Sequence, residues 1–192
     1  MSTKKTLREE LRAHRQALSK FEHEKKASEM ANQISQLAAW QDCNQIALYL
    51  ASDGEIDPKH AAAAAKKNGK KLFLPIVKND GFLEFALWHE ETVFSVNRFG
   101  ISEPNKDAPR IAVSDLEVIC LPLVGWDRFG NRLGMGGGFY DKTLSTSAGK
   151  CCLIGLAFSM QECEEIPSER NDVPLDFIVT ENEIISTVRI IE

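Results

Sequence analysis

Between residues 46 and 87 the chain reads IALYL (46–50), ASDGEIDPK (51–59), HAAAAAKKNGKK (60–71), LFLPIV (72–77), KNDG (78–81) and FLEFAL (82–87). The first apolar run, short and continuous, reads as a buried strand. A polar turn follows, Asp53-Gly54 and then Asp57-Pro58. The alanine run predicts a helix over 58–68, with proline in its first turn and Gly69 as its stop. Residues 72–77 predict a second strand, and Asn79-Asp80-Gly81 turns the chain back into a third over 82–87. A strand, a helix and a strand that then doubles back predict an α/β fold with a mixed, largely parallel sheet whose antiparallel part is this hairpin.

Further apolar runs at 118–121, 153–158 and 177–180 add strands on the C-terminal side. On the N-terminal side, Leu7, Leu11 and Leu18 fall at helical spacing within residues 4–18, and Ser2 or Thr3 is available as the cap. This helix also carries Lys4, Lys5, Arg8, Arg12 and Arg15. Ser19-Lys20-Phe21-Glu22 is a capping-box pattern that opens a second helix, with Ala27, Met30, Ala31, Ile34, Leu37 and Ala38 on its apolar side. There is no repeat, low-complexity linker or composition break, so residues 1–192 read as one domain.

A chain of 192 residues is long enough to bury on the order of 70% of its unfolded surface. The net charge of −5 argues against a nucleic-acid partner, since phosphate binding needs clustered positive charge. A membrane span is excluded because the uncharged runs 118–126 and 151–161 fall short of the ~18 residues required. No apolar core follows the basic start, so it is no signal peptide. Cysteines stand at 43, 120, 151, 152 and 163, an odd number without CxxC spacing. The adjacent pair Cys151-Cys152 would point to opposite faces of a strand. Reduced thiols and a cytoplasmic protein follow. His89-Glu90-Glu91-Thr92-Val93 begins like a zinc-protease motif but lacks the second histidine. Trp40, Trp88 and Trp126 read as core or pocket-rim side chains.

One segment stands apart: Gly125-Trp126-Asp127-Arg128-Phe129-Gly130-Asn131-Arg132-Leu133-Gly134-Met135-Gly136-Gly137-Gly138-Phe139-Tyr140-Asp141. It follows a strand and its exit, and opens a helix running to about Thr146. A glycine-rich loop in that place exposes backbone N–H groups to an anion, and glycine lets phosphate approach the backbone closely. Arg132 adds a planar donor suited to phosphate oxygens. Asp141 is placed to hold magnesium against phosphates. The loop fits neither familiar template. Asn131-Arg132 replaces the Lys-Ser/Thr of a Walker A motif, and Phe139 stands where a dinucleotide fingerprint needs its third glycine. Lys4 and Arg8, one helical turn apart, can reach the same polyphosphate. Ser52-Asp53-Gly54-Glu55 follows a strand end, where α/β sheets place ligand contacts. Asn171-Asp172-Val173-Pro174-Leu175-Asp176 precedes a strand, and either Asp172 or Asp176 is a candidate second metal ligand or a turn residue.

These segments together resemble the 5-formyltetrahydrofolate cyclo-ligase family, also called methenyltetrahydrofolate synthetase. The resemblance runs from Lys4-Lys5-Thr6-Leu7-Arg8 through Leu50 to Glu55-Ile56, Gly100-Ile101-Ser102-Glu103-Pro104, Leu121 to Asp141 and Asn171 to Asp176. Its most specific part is Asp127-Arg128-Phe129-Gly130-Asn131-Arg132-Leu133-Gly134 with Gly136, Gly138, Tyr140 and Asp141. The departures are Phe139 for a usual tyrosine, Met135 for a usual tyrosine or arginine, and Gly137 where a larger residue is common. The resemblance implies a sheet layered between helices, akin to sugar-phosphate isomerase and CoA-transferase domains. It also implies an ATP- and magnesium-dependent enzyme that cyclises 5-formyltetrahydrofolate to 5,10-methenyltetrahydrofolate; a monomer with small-molecule partners is the expectation. By the same resemblance ATP is held by Lys4, Lys5, Thr6, Leu7, Arg8, Arg132, Leu133, Gly134, Met135, Gly136, Gly137, Gly138, Phe139 and Tyr140. Leu50, Glu55 and Met135 to Phe139 line the folate site, Asp141 and Asp172 hold magnesium, and Arg132 is the catalytic residue. Two other readings accommodate the loop alone: a kinase or ligase for another small molecule, and a non-catalytic folate- or nucleotide-binding regulator.

Overall fold

Thr3 accepts a hydrogen bond from the Thr6 N–H and so caps α1 (Lys4–Gln16). The computed structural model describes residues 3–145 and 151–187, so Ser2, the alternative cap, lies outside the described residues. At Ser19 both halves of the capping box form, with Glu22, and open α2 (Lys20–Ile34). The apolar face expected to reach Ala38 on one helix is broken after Ile34, and Ala38 instead begins the short α3 (Ala38–Asp42). The strand expected over 46–50 is β1 (Gln45–Ala47) only. Beyond it the Leu48 N–H still donates to the Phe73 carbonyl at 2.9 Å, but the chain then leaves the sheet.

Next come α4 (Lys59–Lys67), β2 (Lys71–Val77) and β3 (Leu83–Trp88), the helix and hairpin read from the sequence. A ribbon of β4 (Phe94–Val96) and β5 (Ser102–Pro104) leads to β6 (Arg110–Ile111) and β7 (Val118–Pro122). The glycine segment does not begin as a loop. It first forms a second small hairpin, β8 (Gly125–Trp126) and β9 (Arg132–Leu133), and the loop proper follows. The chain finishes with α5 (Phe139–Ser145), β10 (Cys152–Leu156), β11 (Phe177–Val179) and β12 (Ile184–Ser186). Thr146, the expected end of the helix after the loop, lies outside the described residues.

The main sheet has the order β12-β11-β10-β7-β1-β2-β3-β6. Its five inner strands, from β11 to β2, run parallel, and the other three pair antiparallel at the edges. Side chains alternate between two cores, as the pleat requires. Ile46, Leu72, Leu74, Val118, Cys120, Ile154 and Leu156 face α2, α3 and α4, where Met30, Ile34, Trp40, Ala61 and Ala65 cover them. Ala47, Phe73, Ile119, Leu121 and Leu153 face the other side, with Leu144 of α5, Trp126 and Leu175. Cys152 packs into the first core and Cys151 into the second, as expected of neighbours on a strand. From β1 the connection through α4 leads to β2 on one side, while β7 lies on the other and leads on to β10. The carboxyl ends of β1 and β7 therefore open into loops that diverge, a topological switch point and the usual ligand crevice of such sheets.

α1 belongs to neither helical layer. Leu11, with Leu7 beside it, packs on Val124, Leu133 and Ile166. Arg15, with no exposed surface, fastens the helix across the switch point. Its Nε donates to the Asp53 carbonyl at 2.9 Å, its Nη2 to Asp53 Oδ2 at 2.7 Å, and its Nη1 to the Leu123 carbonyl at 3.0 Å. Arg12 grips the same carboxylate with two bonds of 2.7 and 2.8 Å, and Gln16 adds a third donor at 2.6 Å. Arg12, with Arg15 behind it, holds the Asp53 carboxyl down at about 2. Asp53 sits at φ +51°, a backbone Asn also tolerates. A folded value below the ordinary 3.8 means the stabilisation is present above that pH and is lost as pH falls toward 2. Asp53→Asn should therefore be less stable than the wild type by roughly 2 kcal/mol at pH 6, with the gap closing between pH 4 and pH 2. Urea denaturation across that range checks it; a pH-independent gap would contradict it.

Candidate active site

The loop leaving β1 folds around its own polar groups. Tyr49 donates from its hydroxyl to the Ile56 carbonyl at 2.7 Å, closing the base of the loop. Within it the Glu55 N–H donates to the Ser52 carbonyl at 2.9 Å, and Glu55 Oε2 accepts from the Ser52 N–H at 3.0 Å. That leaves the second carboxylate oxygen, Oε1, for another donor. Burial raises the Glu55 carboxyl above its ordinary value, against the Ser52 backbone bond and the Arg15 charge. Leu50 is half-buried against the first core.

The loop leaving β7 is shaped by a buried carboxylate. Asp127, with no exposed surface, accepts from the N–H groups of Phe129 and Asn131 at 3.0 Å, from Asn131 Nδ2 at 2.9 Å and from the Ile166 N–H at 2.9 Å. Gly130 takes φ +87°, and a Cβ there would lie 2.9 Å from the Leu175 carbonyl oxygen. The most distinctive part of the sequence motif is thus the frame of a hairpin, which aims β9 at the crevice. Arg132 emerges from β9 with its side chain 8% exposed. It donates to the Val173 carbonyl and pairs with Asp141 Oδ1. Burial draws its guanidinium below the ordinary value, opposed by the nearby carboxylates of Asp141 and Asp172.

After β9 the glycine loop proper is exposed, with Gly136 at φ +93° and Gly138 at φ +65°. Among the described residues, the N–H groups of residues 135–138 donate to no protein acceptor. α1 lies along this loop. Arg8 Nε donates to the Gly134 carbonyl at 2.7 Å, and its guanidinium sits beside Gly136. Lys4 reaches Glu169 at 2.8 Å and Asp172 at 3.4 Å. Asp141 Oδ1 also accepts the Val173 N–H at 3.2 Å, which ties the start of α5 to the Asp172 segment.

Most of the residues read from the sequence therefore converge. Lys4, Arg8, Arg132, Asp141 and Asp172 form a linked set around the glycine loop, and Glu55, on the β1 loop, lies near enough to Tyr140 for its charge to act there. Tyr140 joins the two halves: burial raises its hydroxyl first, and the Glu55 charge raises it further. Others do not point into the crevice. Lys5 is exposed and Thr6 is spent on the Thr3 cap. Leu7 and Leu133 pack in the small core under α1. Sequence reasoning missed the tip of the β4–β5 ribbon, where Phe99 meets Phe139 edge to face at 5.6 Å. Its signal was a large aromatic before Gly100 in an otherwise polar turn.

The comparisons with known proteins agree. A profile of the 5-formyltetrahydrofolate cyclo-ligase family matches residues 1–181. The 5-formyltetrahydrofolate cyclo-ligase of Haemophilus influenzae is 34% identical over 181 residues, covering 91% of this chain and 97% of its own. That of Escherichia coli K12 is 32% identical over 178 residues, covering 91% and 98%. The NMR structure of Aquifex aeolicus 5,10-methenyltetrahydrofolate synthetase superposes with a TM-score of 0.84 at 30% identity, covering 98% of this chain and 96% of that one. With its switch-point loops, buried Asp127 frame and glycine loop, the chain belongs to the 5-formyltetrahydrofolate cyclo-ligase family.

Proposed function

We propose that the crevice between the β1 and β7 loops performs the ATP-dependent conversion of 5-formyltetrahydrofolate to 5,10-methenyltetrahydrofolate, with the residues just described in distinct roles. The observation that carries this reading is the unsatisfied N–H row of residues 135–138 beside Arg8, with Lys4 at the neighbouring Asp172 and the Glu55 charge felt at Tyr140, just past the loop. Backbone donors and two cations suit a triphosphate. A half-buried carboxylate with an oxygen to spare suits the N–H groups of a pterin ring. Gly134, Met135, Gly136, Gly137, Gly138 and Phe139 lie between the two and serve both ligands.

Asp141 and Asp172 fit a magnesium ion. Both carboxylates act on Arg132, and magnesium is commonly held by one or two carboxylates, with phosphate oxygens and water completing its shell. Magnesium supplies charge neutralisation on the triphosphate. The chain's own residues do the rest. Arg132, released from Asp141 toward a phosphate oxygen, stabilises the charge that moves during phosphoryl transfer. The formyl oxygen attacks the γ-phosphorus and ADP leaves. N10 then attacks the formyl carbon and loses its proton, and inorganic phosphate departs with the original formyl oxygen. Phosphoryl transfer needs positioning and charge stabilisation more than a covalent nucleophile. The buried thiols of Cys43 and Cys120 are accordingly core side chains. Such thiols support a reducing compartment, and a cytoplasmic monomer acting on small molecules is the setting we propose. Among the described residues no helix is long and apolar enough to cross a membrane.

The direct test is the rise of methenyl-folate absorbance when purified protein meets 5-formyltetrahydrofolate, ATP and magnesium. A phosphorylated product without that absorbance would favour a kinase instead. Arg132→Ala should lower turnover by roughly 100- to 1000-fold at every magnesium concentration, the cost of a lost charge-stabilising donor. Asp141→Asn should recover part of its loss as magnesium is raised, because Asp172 and the phosphates remain as ligands. A magnesium titration of both variants checks the assignment, and rescue of Arg132→Ala alone would reverse it. Glu55→Gln keeps the bond from Ser52 but removes the charge. It should weaken folate binding about ten- to a hundredfold and leave ATP binding unchanged, as isothermal titration with each ligand would show. Equal weakening of both would move Glu55 out of the folate site.

A further inference from the structure

The ribbon of β4 and β5 is held rigidly at its tip. Asn97 Oδ1 accepts from the N–H groups of Phe99 and Ile101 at 2.9 and 3.1 Å. Its Nδ2 donates to Glu103 at 2.9 Å, and Glu103 in turn accepts from the β2 residue Val77 at 3.2 Å. This network sets Phe99 against Phe139 beside the glycine loop, with Arg98 on the Phe99 ring. The Arg98 guanidinium lies 5.0 Å from the centre of the Phe99 ring, Phe99 meets Phe139, and the Phe139 ring lies over Gly137. The result is a continuous stack from the loop outward, ending in a cation. Phe99 is 51% exposed, so the stack flanks the crevice instead of filling a core. Among the described residues, Arg98 makes no ion pair and no hydrogen bond.

The geometry points to Arg98 as a specificity-determining residue that binds the glutamate carboxylates of the folate substrate. This rests on the reading of the crevice as the folate site. The loop has two ends of different chemistry. Gly136 lies beside Arg8, where the triphosphate is held, whereas Phe139 touches the aromatic tip of the ribbon. The substrate is built in the same order. Its formyl group must meet the γ-phosphate, its flat aminobenzoyl ring follows, and its far end is a dicarboxylate. With the formyl end at Arg132 and the arene along Phe139 and Phe99, the carboxylates fall at Arg98. A guanidinium both stacks on an aromatic face and binds carboxylate in a fork, which a lysine does less well. At an exposed rim such a cation acts chiefly on capture of the anionic substrate and is sensitive to salt.

The test compares 5-formyltetrahydrofolate with 5-formyltetrahydropteroate, which lacks the glutamate, as substrate or as competing inhibitor. Arg98→Glu should raise KM for the full substrate about tenfold or more. It should change KM or Ki for the truncated compound less than twofold. Lys106→Glu, the same charge reversal on the exposed segment after β5, should not reproduce the difference. Added salt should raise KM for the full substrate in the wild type and much less in Arg98→Glu. Equal loss on both compounds would assign Arg98 a merely structural role, and no loss on either would remove it from the site; each overturns the inference. An inactive wild type would instead refute the folate reading on which the inference rests.

Discussion

A single buried guanidinium holds the two halves of this site together. Arg15 spends its donors on Asp53 and Leu123, one after β1 and the other after β7. Arg12 and Gln16 add bonds to the same Asp53 carboxylate, and the small core of Leu7, Leu11, Val124, Leu133 and Ile166 seats the helix, but only Arg15 ties it to both loops at once. A buried ion pair of this kind is weak evidence for stability in itself, since desolvation offsets its Coulomb attraction. Its value lies in geometry. Fastening α1 across the switch point is what carries Lys4 and Arg8 to a glycine loop more than a hundred residues away in sequence.

The site assembled in this way is a set of charges already matched to one another. Lys4 is paired with Asp172 and Arg132 with Asp141. The cations suited to phosphate and the carboxylates suited to magnesium thus compensate each other within a partly buried crevice. The pairing offsets part of the desolvation that burial imposes on Arg132, and in the proposed function magnesium and a triphosphate take over both sets of partners together. Beneath it, Asp127 and Gly130 contribute no chemistry but determine where β9 ends and the loop begins.

The sequence was legible where local signals decide structure. The capping box of α2, the alanine helix with Gly69 at its end, and the Asn79-Asp80-Gly81 hairpin all formed close to where their residues predict. Parallel strands announced themselves as short apolar runs, because both of their faces are covered. What could not be read was set by contacts distant in sequence. β8 and β9 are two residues each, and their turn depends on Ile166 and Leu175. β1 stops at Ala47 although the apolar run continues to Leu50, since the next residues turn out toward Glu55. The family resemblance named the candidate site residues, and the structure brings Lys4, Arg8, Arg132, Asp141 and Asp172 together around the glycine loop. The pairings within it were not legible, because Lys4 with Asp172 joins opposite ends of the chain and Arg132 with Val173 spans 41 residues. The aromatic tip at Phe99 escaped notice because a single exposed phenylalanine carries no pattern.

The central claim is that this fold catalyses by positioning, with the substrate's own formyl oxygen as the nucleophile toward ATP and no side chain in that role. The most direct measurement follows the oxygen. With 5-formyltetrahydrofolate carrying oxygen-18 in the formyl group, turnover in ordinary water should deliver the label into inorganic phosphate, one atom per methenyl product. Label released into water, with none in phosphate, would mean that the formyl oxygen never attacks the γ-phosphorus, and would contradict the account.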